Sequence, residues 1–498
     1  MLASIFHLEV IMPWIAGMVF GVFVGGMPGL TATMAVALII PATYYMPPLA
    51  ALAMILGIEF TAIFAGDIPA TFLRIPGTPA SGAAVLDGYE MAKKGEGEVA
   101  LGIDLVGSAV GGLIGVLLLI LVSQPLASFA LRFSNFEYFW LGLFGLSMSA
   151  IIARGNALNG FVSVLVGLLI SCVGADITTG YPRFAFGVAE FSGRIEFIPV
   201  MIGLFGLSEV FRFLNDPSGG SRSAVPQRAG VSLTKALGVL WRYKGAVLKS
   251  SFVGTIIGAL PGTGADVAAW VAYGVGKRTS AHPEKFGTGY EEGVVAPTVA
   301  NNAALGGTWI PALIFGVPGD TITAIVLGAM LMYGLRPGPM IFRESRELLN
   351  GMFAIAIVSQ LLLIPVGYAG IKAFALFLRL PKAIVMATVV VLSVLGSYAL
   401  RSSTVDIYVM LASGVLGYVM EGAGIPLTPM VLGLILGPMV EDNLRVGLIK
   451  TGGSLVPFLT RPICAGLIVC MLAALFGESL VLGTKRLIKR WRGSSVSE

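Results

Sequence analysis

Gly21-x3-Gly25-x2-Pro28-Gly29 recurs as Gly254-x3-Gly258-x2-Pro261-Gly262, every residue 233 positions after its counterpart. Ile68-Pro69-Ala70 with Pro76-Gly77 recurs as Ile310-Pro311-Ala312 with Pro318-Gly319, at an offset of 242. Two blocks in the same order, each with constant internal spacing, indicate an internal structural repeat. The nine extra residues between the blocks of the second half are assigned to the polar stretch 277–292, which the first half lacks.

Each Pro-Gly pair falls in the middle of apolar sequence. Segments of spanning length lie near 10–27, 30–66, 104–128, 136–152, 157–175 and 196–214. They return near 247–276, 294–335, 351–378, 383–400, 405–440 and 462–483. Charged residues make up 12% of the 498, about half the share of an ordinary soluble domain. This excludes a soluble enzyme, a disordered chain and a collagen-like fibre, and it argues against nucleic-acid binding. The expected fold is an all-α polytopic membrane protein of about 12 transmembrane helices, in a range of roughly 10 to 14 at about 20 residues per crossing. Cys172, Cys464 and Cys470 form no CxxC pair or Cys/His cluster, so neither a disulfide framework nor a zinc site is indicated. His7 and His282 sit near predicted loops and read as solvated. Without a basic n-region, the N-terminus does not read as a cleaved signal peptide.

Charge sets the expected orientation. No Lys or Arg precedes Arg74, whereas a central stretch holds Arg222, Arg228, Lys235, Arg242, Lys244 and Lys249. The C-terminal tail carries Lys485, Arg486, Lys489, Arg490 and Arg492. Cytoplasmic loops are rich in Lys and Arg, which places the centre and the C-terminus inside and the N-terminus outside. The chain then divides into a first transmembrane repeat (1–214), a basic cytoplasmic linker (215–245), a second transmembrane repeat (246–460), an extra C-terminal transmembrane helix (461–484) and a basic cytoplasmic tail (485–498). An odd number of crossings in the first half makes the second copy inverted, as is common in secondary transporters; a parallel repeat follows if one crossing is misplaced.

Pro removes a helix donor and Gly weakens a helix. In lipid, the freed backbone groups need protein, water or ligand as partners. Matched discontinuous helices are therefore the best sequence pointer to a transport site. The four breaks are Pro28-Gly29, Pro76-Gly77, Pro261-Gly262 and Pro318-Gly319, and small or hydroxylated residues follow each: Thr31 and Thr33; Thr78; Thr263 and Gly264; Thr321. Helix starts present free N–H groups and a dipole that favour an anion, which suits a di- or tricarboxylate. Read singly, each break is equally an ordinary kink with small residues for helix packing.

Glu59, Asp67, Asp266 and Asp320 lie in or beside these blocks. An intramembrane carboxylate is costly unless paired, protonated or bound to a cation. Asp266, Asp320 and Asp67 are therefore candidates for ion coupling, to Na⁺ or to a proton. Asn301 and Asn302 would complete an oxygen shell, with Asp266, Asp320 and Asn301 as the possible Na⁺ ligands. The alternative for each acid is an interfacial position facing water. Asp67 and Arg74, seven residues apart, share a face if helical and either neutralise each other or act separately. Asp176 to Gly180 and Arg183 read as a turn between helices, with attraction of anions at an entrance as the second reading.

The chain resembles the large membrane subunit of the tripartite tricarboxylate transporters. The matching runs are Gly258-Ala259-Leu260-Pro261-Gly262-Thr263-Gly264-Ala265, Gly293-Val294-Val295-Ala296-Pro297-x3-Asn301-Asn302-Ala303, Gly316-Val317-Pro318-Gly319 and Gly338-Pro339. The first half contributes Ile75-Pro76-Gly77-Thr78-Pro79-Ala80-Ser81 and Leu86-Asp87-Gly88-Tyr89-x-Met91-Ala92. Leu432-Gly433, Gly437-Pro438 and Glu441-Asp442-Asn443-Leu444-Arg445 complete the set. The resemblance covers nearly the whole chain in order. It implies a subunit of about a dozen helices working with a small four-helix membrane subunit and a periplasmic solute-binding protein in the bacterial inner membrane. It also implies carboxylate import driven by an ion gradient rather than ATP, with no cofactor; the chain has no GxxxxGK[ST] loop. The chain departs from the family pattern at Asp67 and Asp320, where serine is common, at Arg74, where asparagine is, and at Thr298, where glutamate is. These departures leave the substrate and the coupling ion open.

Other readings are a standalone carboxylate carrier without a binding protein, a membrane scaffold and an intramembrane aspartyl protease using Asp320 and Asp67. The protease reading is opposed by the spacing around Pro318 and leaves the repeat unexplained.

Overall fold

The computed structural model describes residues 5–27, 29–152, 157–176, 179–215, 230–377, 381–399 and 401–475. Pro28, most of the basic linker, residues 476–484 of the expected C-terminal helix and the basic tail 485–498 lie outside these residues.

The longer helices are α1 (Leu8–Gly26), α2 (Ala32–Thr43), α3 (Pro48–Ala65), α4 (Asp67–Leu73), α5 (Val85–Lys93), α6 (Gly97–Ala130), α7 (Asn135–Ile152), α8 (Ala157–Ser171) and α9 (Phe197–Asn215). They continue as α10 (Leu233–Arg242), α11 (Lys244–Gly258), α12 (Gly264–Thr279), α13 (Glu291–Phe315), α14 (Thr321–Met332), α15 (Arg346–Phe377), α16 (Lys382–Ala399), α17 (Thr404–Gly422), α18 (Leu427–Lys450) and α19 (Pro462–Leu475). A two-residue antiparallel pairing of Gly174–Ala175 with Pro182–Arg183 is the sheet among the described residues. Among the described residues, seven helical segments are long and apolar enough to cross a membrane, and four shorter apolar helices, α2, α8, α14 and α19, accompany them. The protein is an all-α polytopic membrane protein.

Burial sorts these helices. Of the most apolar 18 residues in the span Pro48–Leu73, 94% are buried, which places it at the centre, whereas 28% of α16 is buried and it lies at the periphery. A helix apolar on every side can be buried against protein or face lipid, and here position decides which.

Glycines let the central helices touch. A Cβ at Gly21 or Gly25 would lie 2.6 Å from Ile58 O or 2.1 Å from Ala62 O, so α1 meets the α3 backbone directly. At Gly254 and Gly258 a Cβ would lie 2.3 Å from Ala300 O and Ala304 O, where α11 meets α13. Small residues allow such contacts within a membrane. The contacts fall at the paired positions of the sequence blocks. The turns also correspond: Ile75 N donates to Pro69 O at 3.4 Å, and Val317 N to Pro311 O at 3.3 Å. Arg74 and Gly316, each a left-handed C-cap, end α4 and α13.

Candidate functional site at the helix breaks

At the four Pro-Gly breaks, three helix starts and one 3₁₀ turn converge on a cavity of about 330 Å³. At the first, Gly29 turns the chain with φ 92°, and Thr31 caps α2 by accepting a hydrogen bond from Met34 N at 3.1 Å. At the second, Thr78 caps the 3₁₀ turn Pro79–Gly82, and its hydroxyl is 2.8 Å from Ser81 Oγ. At the third, Gly262 adopts φ 82° and Gly264 φ 57°, and Thr263 Oγ1 donates to Leu260 O at 2.8 Å. At the fourth, Asp320 forms a capping box with Thr323: Asp320 Oδ1 accepts from Thr323 N at 2.8 Å, and Asp320 N donates to Thr323 Oγ1 at 3.0 Å. Thr31, Thr78 and Asp320 thereby each satisfy a helix-start donor, whereas Thr263 bonds back to the preceding turn. The third and fourth turns are joined by Gly262 N donating to Gly319 O at 2.8 Å.

Thr31, Thr33, Thr78, Gly262, Thr263, Gly264, Asp266, Asp320 and Thr321 line the cavity. Other sequence candidates shape the turns without forming its wall. A Cβ at Gly77 would lie 2.4 Å from Gly25 O, and one at Gly319 2.7 Å from Gly258 O. Gly29, Pro76, Pro261 and Pro318 likewise bend the chain beside the wall. Pro28 lies outside the described residues. Asn301 and Asn302 are buried in α13 and are not part of the wall.

Asp67 is also away from the cavity. It is buried beside Asp104 and Ser81, so it does not join Asp320 in the dyad that an aspartyl protease requires. Arg74 does not neutralise it: Arg74 is exposed, with its guanidinium 5.6 Å from the centre of the Tyr89 ring. Glu59 is tied to the second half, accepting from Trp309 Nε1 at 3.2 Å. Arg183 is held by Glu441, with Nη1 at 2.6 Å from Oε1 and Nη2 at 3.1 Å from Oε2.

Sequence reasoning missed part of the wall. Ser149 from α7, Phe205 from α9, and Pro426, Leu427, Thr428 and Pro429 at the start of α18 contribute to it. Thr321 Oγ1 donates to Thr428 Oγ1 at 2.9 Å. The Pro426-Leu427-Thr428-Pro429 run starts a helix with a hydroxyl beside it, but it contains no Pro-Gly pair and so escaped the criterion that marked the other breaks. Phe205 lies in the π-helical stretch Ile202–Leu207, a feature often found at functional sites but without a signature in these residues. Glu421 also reaches the cavity, where Arg212 pairs with it.

Among the described residues, the wall combines hydroxyls and helix starts with three acids, Asp266, Asp320 and Glu421, and no Lys or Arg lines it, although Arg212 pairs with Glu421 from outside it. Helix starts attract an anion, whereas the acids repel one unless protons or cations balance them.

The tripartite tricarboxylate transporter TctA family matches residues 11–432. The chain is 35% identical over 464 residues to an uncharacterized 52.8 kDa protein in the TAR-I ttuC′ 3′ region of Agrobacterium vitis, covering 92% of this chain and 90% of that one. It is 34% identical over 226 residues to an uncharacterized protein in the TAR-II ttuC′ 3′ region of the same organism, covering 45% of this chain and 93% of that one. No solved structure matches. The family match spans the helices that build the cavity, and the chain belongs to the tripartite tricarboxylate transporter TctA family, whose members are membrane components of transporters.

Proposed function

We propose that this chain is the large membrane subunit of a binding-protein-dependent secondary transporter. It imports a tricarboxylate or related carboxylate with Na⁺ or protons by alternating access. The observation that carries the reading is the convergence of residues from all four broken segments on one cavity. Thr31, Thr33, Thr78, Thr263 and Thr321 supply hydroxyls, and the helix starts supply N–H groups for carboxylate oxygens. Asp266 and Asp320 make anion entry alone unfavourable, so a co-transported cation restores balance. That is the physical basis for symport. The paired turns and Gly contacts support an internal repeat, and the Lys/Arg distribution supports an outside N-terminus and an inside C-terminus.

The proposed setting is the bacterial inner membrane, with a periplasmic solute-binding protein delivering the carboxylate and a small four-helix subunit completing the membrane assembly. The test is uptake of radiolabelled citrate and a carboxylate panel into vesicles carrying this chain and the small subunit. The binding protein and imposed Na⁺ or proton gradients are added or omitted. Uptake that needs the binding protein and a gradient, but not ATP, is the expected result. Gradient-driven uptake without the binding protein would indicate a standalone carrier. No gradient-driven uptake by correctly folded protein would sink the carrier reading.

A further inference from the structure

Asp67 on α4 and Asp104 on α6 are each 1% exposed and lie side by side. Phe64 and Ile68, beside Asp67 in sequence, and Leu101 and Leu105, beside Asp104, belong to one buried apolar cluster. Among the described residues, neither oxygen of Asp67 has a hydrogen-bond partner, nor does Oδ2 of Asp104. Asp104 Oδ1 has only Ser108 Oγ, at 3.5 Å. Two ionised carboxylates in apolar surroundings would repel each other without screening, whereas one proton between them leaves a single charge and supplies a hydrogen bond.

Neighbouring charges do not relieve the pair. On α3, Glu59 is engaged by Trp309. On α5, Asp87 is engaged by Tyr273 and the backbone at 287–290. The 3₁₀ turn has no titratable side chain, and Glu9 on α1 is exposed. Of the helices packed on α6, α13 carries Glu291, paired with Arg242 of α10, and Glu292, bonded to Ser280. On α15, Lys372 sits over the Tyr368 ring, and Arg346 and Glu347 lie at the helix start. On α11, Lys244 sits over Trp241 and Lys249 bonds Thr279; Lys235 on α10 is exposed. Among the described residues, Asp67 is the charged group beside Asp104.

Two hydroxyls lie between the pair and the cavity. Thr78 lines the cavity, Thr78 Oγ1 is 2.8 Å from Ser81 Oγ, and Ser81 neighbours Asp67. We propose that Asp67 and Asp104 share one proton and form a proton-binding site linked to the cavity through Thr78 and Ser81. In loading, a hydronium ion in the cavity gives H⁺ to the hydroxyl chain, the chain passes H⁺ to an Asp67 oxygen, and water remains behind. The pair changes from charge −2 to −1. Release reverses these bonds. Among the described residues no third His, Cys, Asp or Glu joins the two acids, which favours a proton over a metal ion. The coupling role rests on the carrier reading above; the shared proton does not.

Infrared difference spectra of the chain with its small subunit in lipid, titrated between about pH 5 and pH 9, test the proton directly. The carbonyl stretch of a protonated carboxyl is expected in the wild type, lost or shifted in both Asp67→Ser and Asp104→Asn, and retained in Glu59→Gln. A spectrum unchanged in both aspartate variants overturns the shared proton. Loss of the wild-type band on adding Na⁺ at fixed pH identifies a sodium site and also overturns it. In vesicles with equal Na⁺ on both sides, an inward proton gradient should accelerate wild-type citrate or panel uptake. That acceleration should be lost in Asp104→Asn. Wild-type uptake indifferent to the proton gradient removes the coupling role. A wild type without uptake defeats the carrier reading, while the infrared result still decides the proton.

Discussion

Tyr273 donates its phenolic hydroxyl to Asp87 Oδ2 at 2.9 Å, joining α12 to α5 across 186 residues of sequence. Asp87 is fully buried and also accepts from Gly287 N, Gly289 N and Tyr290 N at 2.8–3.0 Å. The polar segment present only in the second half is thus clasped by an acid of the first half. Asp87→Ala leaves three backbone donors and a phenol without their acceptor, with an expected loss of at least ~3 kcal/mol. Tyr273→Phe removes one donor and should cost roughly 1.5–3 kcal/mol. Unfolding of both variants in mixed detergent micelles measures the difference. Equal stability of Asp87→Ala and wild type would show that the clasp does not stabilise the protein.

Two glycines separate a structural requirement from composition. Gly262 has φ 82°, and a Cβ there would lie 2.7 Å from Ser149 Cα, whereas Gly274 in α12 has nothing within 4 Å of an added Cβ. Gly262→Val should abolish uptake by straining the turn and displacing α7 from the cavity. Gly274→Ala should keep uptake and stabilise its helix by up to about 1 kcal/mol. Vesicle uptake beside thermal stability checks both. Normal uptake by Gly262→Val would mean that this turn does not shape the path.

The helix breaks were legible because Pro and Gly alter the backbone wherever they occur, and their matched spacing distinguished them from scattered kinks. Thr31, Thr263 and Asp320 could therefore be placed at turns before their contacts were known. The partner of Asp67 was not legible. Sequence spacing offered Arg74, but Arg74 ends α4 in a left-handed conformation and turns to Tyr89, and Asp104 arrives from another helix. Asn301 and Asn302 show the same limit. Their motif gives a helix of polar and small residues, but helix rotation decides whether an amide faces the cavity, and both remain in the packed interior.

Thr321 and Thr428 form a hydroxyl pair at the cavity wall. Thr428→Val preserves side-chain volume, removes one hydroxyl and leaves Thr321 without its acceptor. If the pair contacts the carboxylate, KM should rise about tenfold with little change in kcat, equivalent to ~1.4 kcal/mol of binding. Initial uptake rates over a substrate series measure this split. An unchanged KM would place the pair outside the substrate contact.

Asp320 serves both a helix and the cavity, and two substitutions separate the roles. Asp320→Ala removes the acceptor for Thr323 N and should cost about 1 kcal/mol as a lost cap. Asp320→Asn retains a capping oxygen and removes the charge, so stability should remain near wild type. If the cavity acids hold the co-transported cation, Asp320→Asn and Asp266→Asn should each flatten the dependence of uptake on the driving ion. The measurement is initial uptake across a Na⁺ series at fixed pH and a pH series at fixed Na⁺, with stability read on the same preparations. Unchanged ion dependence in both Asn variants would remove these acids from coupling and leave Asp320 the role of a cap.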